Sequence, residues 1–257
     1  MIAGKEPIIR VNNLTAVYDD TVILDDISFE VRRGEVFIIL GGSGCGKSTL
    51  LKHMIGLLAP AAGEVFIDGD NIVTAEGDSR QRILKKIGVM FQTGALFGSM
   101  TVLENVRLEL EEFTDLPREA ADLAALMKLE LVGLGGFGNH IPAELSGGMQ
   151  KRVAIARAMV MDPQILFLDE PSSGLDPITS ADLDQLIVNL AKSLKMTFVI
   201  VTHELPSVYA VADRVIMLEK QVKKIVATGT PAQLRNSTDN PWVWQFFHRQ
   251  IGPKNAD

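Results

Sequence analysis

Two segments of this chain combine glycines with a predicted helix start, and that combination binds anions. The second segment reads Leu145-Ser146-Gly147-Gly148-Met149-Gln150 and stands between a Gly-rich loop and an apolar run that ends in Asp-Glu. Ser146 can cap the helix that follows, and the glycines let a phosphate approach the backbone N–H groups. A plain helix cap would use the same residues. Two phosphate sites in one chain would be more than simple nucleotide binding needs.

The first segment fits the G-x-x-x-x-G-K-[ST] pattern. It reads Gly41-Gly42-Ser43-Gly44-Cys45-Gly46-Lys47-Ser48-Thr49. Apolar residues 36–40 predict a buried strand before it, and residues 48–58 predict a helix after it, which is the context that the pattern requires. We expect Lys47 to reach the β- and γ-phosphates of a nucleotide and the Ser48 hydroxyl to coordinate Mg²⁺. A structural Gly-rich turn is the alternative.

Two adjacent carboxylates follow another apolar run. Ile165-Leu166-Phe167-Leu168 predicts a buried strand that ends at Asp169 and Glu170. Doubly wound sheets place their ligands at this end of the strands. Asp169 suits a hydrogen bond to the magnesium shell, and Glu170 suits polarisation of the water that attacks the γ-phosphate. A solvated acidic strand end would give the same pattern.

Along the chain the three motifs follow the order phosphate loop, signature, Asp-Glu strand. In that order they resemble the ATPase subunits of ABC transporters, and the resemblance extends over essentially the whole chain. It implies an α/β fold of the P-loop NTPase class and ABC type, with a RecA-like core sheet, an antiparallel β subdomain and an inserted α-helical subdomain. We expect a single domain over residues 1–257. Its expected parts are a nucleotide-binding core at 1–92 and 162–240, a helical signature subdomain at 93–161 and an aromatic C-terminal tail at 241–257.

The resemblance also assigns roles to individual residues. It implies adenine stacking by Tyr18, contact of Gln92 with Mg²⁺ and the attacking water, a signature sequence at 145–150, a D-loop at 173–176 and a switch histidine at His203. The expected catalytic residues are then Glu170, His203, Gln92 and Lys47, and the expected metal ligands are Ser48, Gln92 and Asp169. ATP is expected to touch Tyr18, residues 41–49, Gln92, Ser146, Gly147, Gly148, Asp176 and His203. Met149 departs from the glutamine of many members, but it lies past the Ser-Gly-Gly turn.

Two of these assignments have simpler alternatives. Tyr18 could be an ordinary aromatic residue of a β-sheet, although the chain has only two tyrosines. His203 follows the apolar residues 197–201 and could be a buried core histidine. Its position after the Asp-Glu strand favours a sensor of the γ-phosphate, and we interpret it in that way.

The signature also predicts how the chain assembles. In the resembled family it lies too far from its own phosphate loop to share a nucleotide. Two copies are therefore expected to form a head-to-tail homodimer in which each signature closes over the ATP of the other.

The residues from Gln92 to position 106 resemble the Mla and Mce-associated ATPases in particular, as do residues 144–149 and 176–180. That resemblance implies phospholipid traffic across a Gram-negative envelope. The implied partners are a permease resembling MlaE, a periplasmic lipid-binding MCE protein and, as a further candidate, a small STAS-domain protein. An importer of amino acids or metals would differ only in its permease.

Two apolar segments have an open interpretation. Residues 93–100 contain two glycines, as a hinge would, and their Leu96, Phe97 and Met100 could line a cleft for a permease helix or belong to the subdomain core. The segment Pro241-Trp242-Val243-Trp244-Gln245-Phe246-Phe247 holds both tryptophans and could pack on its own domain or on a partner.

Composition limits the classes of function. The 257 residues are 47% hydrophobic, enough for a large core, and the net charge of −7 argues against a nucleic-acid partner. A soluble ABC ATPase of DNA repair or translation is the alternative from another class. The absence of a heptad run and of a second cassette argues against it.

Hydropathy and cysteine content bear on location. The apolar runs are shorter than the roughly 18–20 residues that span a bilayer, and the N-terminus lacks a secretory pattern. We expect a cytoplasmic chain attached peripherally to the inner membrane through its permease. The single cysteine, Cys45, excludes an internal disulfide. Its place in the phosphate loop predicts that alkylation blocks ATPase activity and that ATP protects.

Periodicity predicts the remaining elements. The predicted strands lie at 8–17, 22–31, 64–67, 87–91, 197–201, 214–218 and 223–227. The predicted helices lie at 101–110, 117–131, 146–159 and 177–194, the last capped by Asp176.

Overall fold

The computed structural model describes residues 6–249 of the chain. They fold into two compact units, of which the first joins the chain up to Thr74 to the chain from Val201, and the second is Ala75–Ile200. The elements of the first unit are strands β1 (Pro7–Tyr18), β2 (Thr21–Arg32), β3 (Val36–Gly41), β4 (Ala62–Ile67), β5 (Asp70–Asn71), β9 (Arg214–Leu218) and β10 (Ile225–Gly229), and helices α1 (Lys47–Met54), α7 (Leu205–Val211), α8 (Pro231–Asn236) and α9 (Pro241–His248). Strand β8 (Thr197–Thr202) carries the chain from the second unit into the first.

An antiparallel sheet forms one layer of the first unit, with strand order β2-β1-β4-β5. Its hairpin between β1 and β2 turns at Asp19 and Asp20, which both have left-handed φ values of 43° and 62°. Two such residues give the twist that a two-residue hairpin loop needs. The predicted strands at 8–17 and 22–31 are confirmed, and Tyr18 pairs with Thr21 at the end of the hairpin.

A second set of strands in this unit, β3, β9 and β10, includes the buried strand that leads to the phosphate loop. Strand β3 pairs with β9 in parallel, and β9 pairs with β10 antiparallel. All six residues of β3 are buried, as expected of a strand covered on both faces. Helix α1 then ends at Met54, four residues earlier than predicted, because Gly56 adopts a left-handed φ of 73° that stops the helix.

The aromatic segment near the C-terminus is a helix, α9, which the sequence did not predict. Asn240 caps it by accepting hydrogen bonds from the backbone N–H groups of Trp242 and Val243. Val243 and Phe247 are buried, and the Phe247 ring contacts Tyr209 of the same unit edge-on at 6.2 Å. This face therefore packs on its own unit. The predicted tail beyond residue 249 lies outside the described residues.

The second unit is mainly helical. Its elements are α2 (Gly77–Leu84), β6 (Ile87–Met90), α3 (Val102–Phe113), α4 (Arg118–Leu131), α5 (Gly147–Ala158), β7 (Ile165–Asp169) and α6 (Pro177–Leu194), with short 3-10 turns at Gly135–Phe137 and Pro142–Glu144. Helix α6 has the predicted bounds and the predicted Asp176 cap. Helix α2 was not predicted, because Ile83 is its only buried residue and gives no apolar periodicity.

Helix α5 lies very close to strand β6. A Cβ atom on Gly88 of β6 would stand 1.9 Å from the carbonyl oxygen of Ala158, the last residue of α5. Real Cβ atoms do not approach backbone oxygens so closely. The glycine at this position therefore sets the distance between the helix and the strand.

We predict that Gly88→Ala lowers the free energy of unfolding by about 1–3 kcal/mol, because the methyl group forces α5 away from β6. Gly136→Ala is the matched control, since a Cβ atom there meets nothing within 4 Å. Thermal unfolding of both variants would measure the difference. Equal midpoints for the two would contradict the close approach.

Candidate functional site

The loop between β3 and α1 requires glycine at position 46. Gly46 has a left-handed φ of 96°, and a Cβ atom on it would lie 2.8 Å from Leu24 Cδ2. Gly46 is also the N-cap of α1 and offers no side chain to the first N–H groups of the helix. A helix start without a side-chain cap, together with the helix dipole, is the kind of place where proteins bind anions.

Lys47 is bent back over this loop. Its ammonium donates to the carbonyl oxygens of Gly41 and Gly42 at 3.0 and 3.2 Å, and the residue is only 8% exposed. Ser48 and Thr49 follow in the first turn of α1 and are partly buried. The first unit thus places a cation, a hydroxyl pair and a helix start in one loop, as the sequence pattern predicted.

Cys45 lies under the loop. Cys45 is 2% exposed, and a Cβ atom on Gly41 would stand 2.5 Å from the Sγ atom of Cys45. Alkylation of Cys45 therefore requires the loop to open first. The effect of alkylation on activity stays a prediction.

Tyr18 and His203 are both accessible in the first unit. Tyr18 is 70% exposed at the end of β1, so it does not pack as an ordinary sheet residue. The side chain of His203, which follows β8, is 52% exposed, and its Nε2 lies 3.6 Å from a carboxylate oxygen of Glu204. The alternative of a buried core histidine is therefore wrong.

The two carboxylates at the end of β7 are buried. Asp169 and Glu170 are each 7% exposed, so the alternative of a solvated strand end is also wrong. Glu170 has a left-handed φ of 48°, which a non-glycine residue rarely adopts. Such strained residues are concentrated at functional sites.

The second unit connects Gln92 with the segment that follows the carboxylates. The Gln92 amide donates to the Ser173 hydroxyl at 3.2 Å.

Asp176 caps α6 by accepting from the backbone N–H groups of Ile178 and Thr179 at 3.0 and 3.1 Å. A hydrogen bond from the Thr179 hydroxyl is the largest cause that lowers the pKa of Asp176. The carboxylate thus stays ionised and fixes the start of α6.

The signature segment begins α5 as predicted. Ser146 Oγ accepts from the backbone N–H of Met149 at 3.3 Å, and Ser146 itself is exposed. A Cβ atom on Gly148 would lie 2.3 Å from Thr179 Cγ2 of α6. Packing against α6 is therefore a second reason for glycine at this position, and no pattern in the sequence indicates it.

Sequence reasoning assigned no role to Lys151, the residue after Gln150. Its ammonium donates to the backbone carbonyl of Gln92. Burial lowers the pKa of Lys151, and the negative charges of Asp169 and Glu170 oppose that effect. The signal in the sequence that could have pointed to this residue is its position directly after the signature on the same helix.

Comparison with known proteins decides the family. Residues 24–173 match the ABC transporter family. The chain belongs to that family. It is an ATP-binding ABC ATPase, and it couples ATP hydrolysis to transport. The expectations about fold class and enzymatic activity are confirmed.

Individual relatives span most of the chain. It is 42% identical over 254 residues to the probable ribonucleotide transport ATP-binding protein mkl of Mycobacterium leprae, covering 97% of this chain and 72% of that protein. It is 43% identical over 225 residues to the intermembrane phospholipid transport system ATP-binding protein MlaF of Escherichia coli, covering 88% and 82%. The dimeric, post-hydrolysis ATP-binding cassette MJ0796 bound to ADP and Pi is similar in structure, with a TM-score of 0.78, 33% identity and coverage of 87% and 98%.

Within residues 6–249, every helix is too short or too polar to cross a bilayer.

We predict that Glu170→Gln lowers the rate of ATP hydrolysis by about 10²- to 10⁴-fold, the usual contribution of a general base, while ATP binding persists. Phosphate release and equilibrium ATP binding would be measured side by side. Glu112→Gln removes a carboxylate from an exposed position of α3 and should hydrolyse ATP like the wild type. A Glu170→Gln protein of normal activity would exclude Glu170 as the base.

Proposed function

We propose that the chain is the motor subunit of a membrane transporter that moves phospholipid between the inner and outer membranes of a Gram-negative envelope. The observation that carries this proposal is the 43% identity to MlaF of Escherichia coli, a protein named for intermembrane phospholipid transport. The proposed partners are a permease resembling MlaE, an MCE protein and a small STAS-domain protein. Attachment to the permease would hold the chain at the cytoplasmic face of the inner membrane.

The proposed roles of the side chains follow their chemistry. Lys47 and the loop N–H groups neutralise the phosphates, Tyr18 stacks on adenine, and His203 contacts the γ-phosphate. Glu170 accepts a proton from the attacking water. The wider division into a nucleotide-binding core and a helical signature subdomain is part of the same proposal.

Magnesium fits the donors that this chain offers. Ser48, Gln92 and Asp169 present a hydroxyl, an amide and one carboxylate, all hard oxygen donors. Mg²⁺ prefers one or two carboxylates together with substrate phosphates to an all-protein cage. The bound ion would neutralise charge that develops on the phosphates.

Assembly into a head-to-tail homodimer is also proposed. Ser146 is exposed at the start of α5, where backbone N–H groups can meet a phosphate of a second subunit. The dimeric state of the MJ0796 cassette supports this arrangement.

We predict that the Glu170→Gln protein is monomeric without nucleotide and dimeric at saturating MgATP, because unhydrolysed ATP holds the two copies together. Light scattering after size exclusion would measure the mass in each state. Ser146→Arg in the same background should prevent the dimer while ATP binding persists. A protein that stays monomeric with MgATP, even together with its permease, would refute the proposed clamp.

The second unit offers apolar surface for a permease helix. Phe97 is 51% exposed, so its interpretation as subdomain core is wrong. The same unit has an open cavity of about 160 Å³ lined by Gln81, Leu84, Lys85, Ile87, Glu109, Phe113 and Met161. Phe113 is 62% exposed. An amphipathic helix with apolar side chains would cover exposed apolar side chains such as Phe97.

We predict that Phe97→Asp abolishes co-purification of the permease while the chain remains folded and binds ATP, because a carboxylate cannot enter an apolar contact. The tagged chain would be isolated from detergent-solubilised membranes and its partners identified. Leu194→Asp places the same charge at an exposed apolar position of α6 and should leave the complex intact. Insoluble Phe97→Asp protein, or an intact complex, would contradict this surface.

A second candidate substrate rests on a different relative. The mkl protein of Mycobacterium leprae is named for probable ribonucleotide transport, which keeps a small-solute importer open. Identification of the molecules that co-purify with the complex distinguishes the two. Bound phospholipid supports the first proposal, and bound nucleotide in addition to ATP or ADP supports the second.

A further inference from the structure

Helix α5 uses a series of polar side chains to hold backbone carbonyl groups of the second unit. Gln150 donates to the carbonyls of Pro142 and Leu145 at 3.0 and 3.2 Å, which fixes the chain that enters the signature. Arg152 donates to the carbonyl of Val132 at 3.0 Å, at the end of α4. The helix that begins with the signature is thus the common attachment point of several loops.

The segment after Gln92 is attached to the same helix. Arg157 donates to the carbonyls of Gly94 and Ala95, at 2.8 Å each. From α3, the fully buried Asn105 donates to the carbonyls of Phe97 and Thr101 at 3.1 and 2.9 Å. A segment with two glycines, which resembled a free hinge in the sequence, is therefore held at several carbonyls.

Lys151 is the residue of α5 that is bonded to Gln92. Its bond goes to the carbonyl of Gln92 itself, and the carboxylates of Asp169 and Glu170 act on its charge. The amide of Gln92 is held separately by Ser173. Gln92 is thus fixed at its backbone by α5 and at its side chain by the segment after the carboxylates.

We propose that Lys151 is a positioning residue for ATP hydrolysis. It fixes the backbone of Gln92 on α5, whose first turn carries the signature, while Ser173 holds the Gln92 side chain. On the role proposed above for Gln92, its position at the reacting groups then depends on α5. A shift of the signature would move Gln92 with it through a single helix.

The proposal distinguishes the rate of the reaction from the affinity for ATP. Lys151 contacts Gln92, and the charges of Asp169 and Glu170 act on it, whereas the phosphate loop, with Lys47, belongs to the other unit. Loss of an interaction that only orients the reacting groups lowers kcat and leaves substrate binding in place. A side chain needed only for folding would instead lower the yield of active protein.

The test compares Lys151→Met with Lys151→Arg in the full chain, purified with its permease. Lys151→Met should lower kcat about tenfold or more, the scale expected when a catalytic group is misplaced, with little change in the KM for ATP. Lys151→Arg keeps a charged donor and should retain most of the kcat. Lys192→Met, which removes a charge from an exposed position of α6, should behave as the wild type.

A second measurement needs neither nucleotide nor turnover. Amide hydrogen exchange in residues 91–97 of the nucleotide-free chain should be faster in Lys151→Met than in the wild type, and Lys151→Arg should restore slow exchange. Wild-type kcat in Lys151→Met, unchanged exchange in this segment, or an arginine variant as slow as the methionine variant would each overturn the proposal.

Discussion

The attachment of helix α5 to the surrounding loops is the interaction on which the second unit depends. Its apolar residues are buried, and its last residue lies so close to β6 that Gly88 cannot carry a side chain. Its polar residues, among them Lys151 and Arg157, donate to carbonyls of the segment from Gln92 onwards. Because hydrogen bonds from charged donors are stronger than those between neutral groups, these contacts favour one arrangement of the loops relative to the helix. The signature and Gln92 therefore behave as parts of one body.

A comparable constraint operates in the phosphate loop of the first unit. Gly46 combines a left-handed φ with contact to Leu24, and Cys45 fills the space beneath Gly41. The loop is thus shaped by packing as well as by the need to bind phosphate. Lys47 donates hydrogen bonds to two carbonyls of the loop, which hold its ammonium group within the loop. Preorganisation of this kind reduces the cost of ordering the site on binding.

The strength of the local sequence signal explains why some elements were predictable and others were not. Strand β3 and helix α6 carry strong local signals, an unbroken apolar run and an Asp-Pro start, and their positions were predicted closely. Helices α2, α7, α8 and α9 were not predicted, and α2 and α9 illustrate the reason. The first buries only Ile83, and the second is a short aromatic helix, so neither shows the apolar period by which longer helices are recognised.

The sequence by itself determined the family, the phosphate loop, the Asp-Glu pair and the signature, because each depends on residue types at fixed local spacing. Tertiary structure alone decided that Asp169 and Glu170 are buried, that His203 is exposed, and that Gly148 packs against Thr179. It also decided that Lys151 reaches Gln92, 59 positions away along the chain. Burial and contacts between distant residues arise only when helices and strands pack together, and no local pattern encodes that packing.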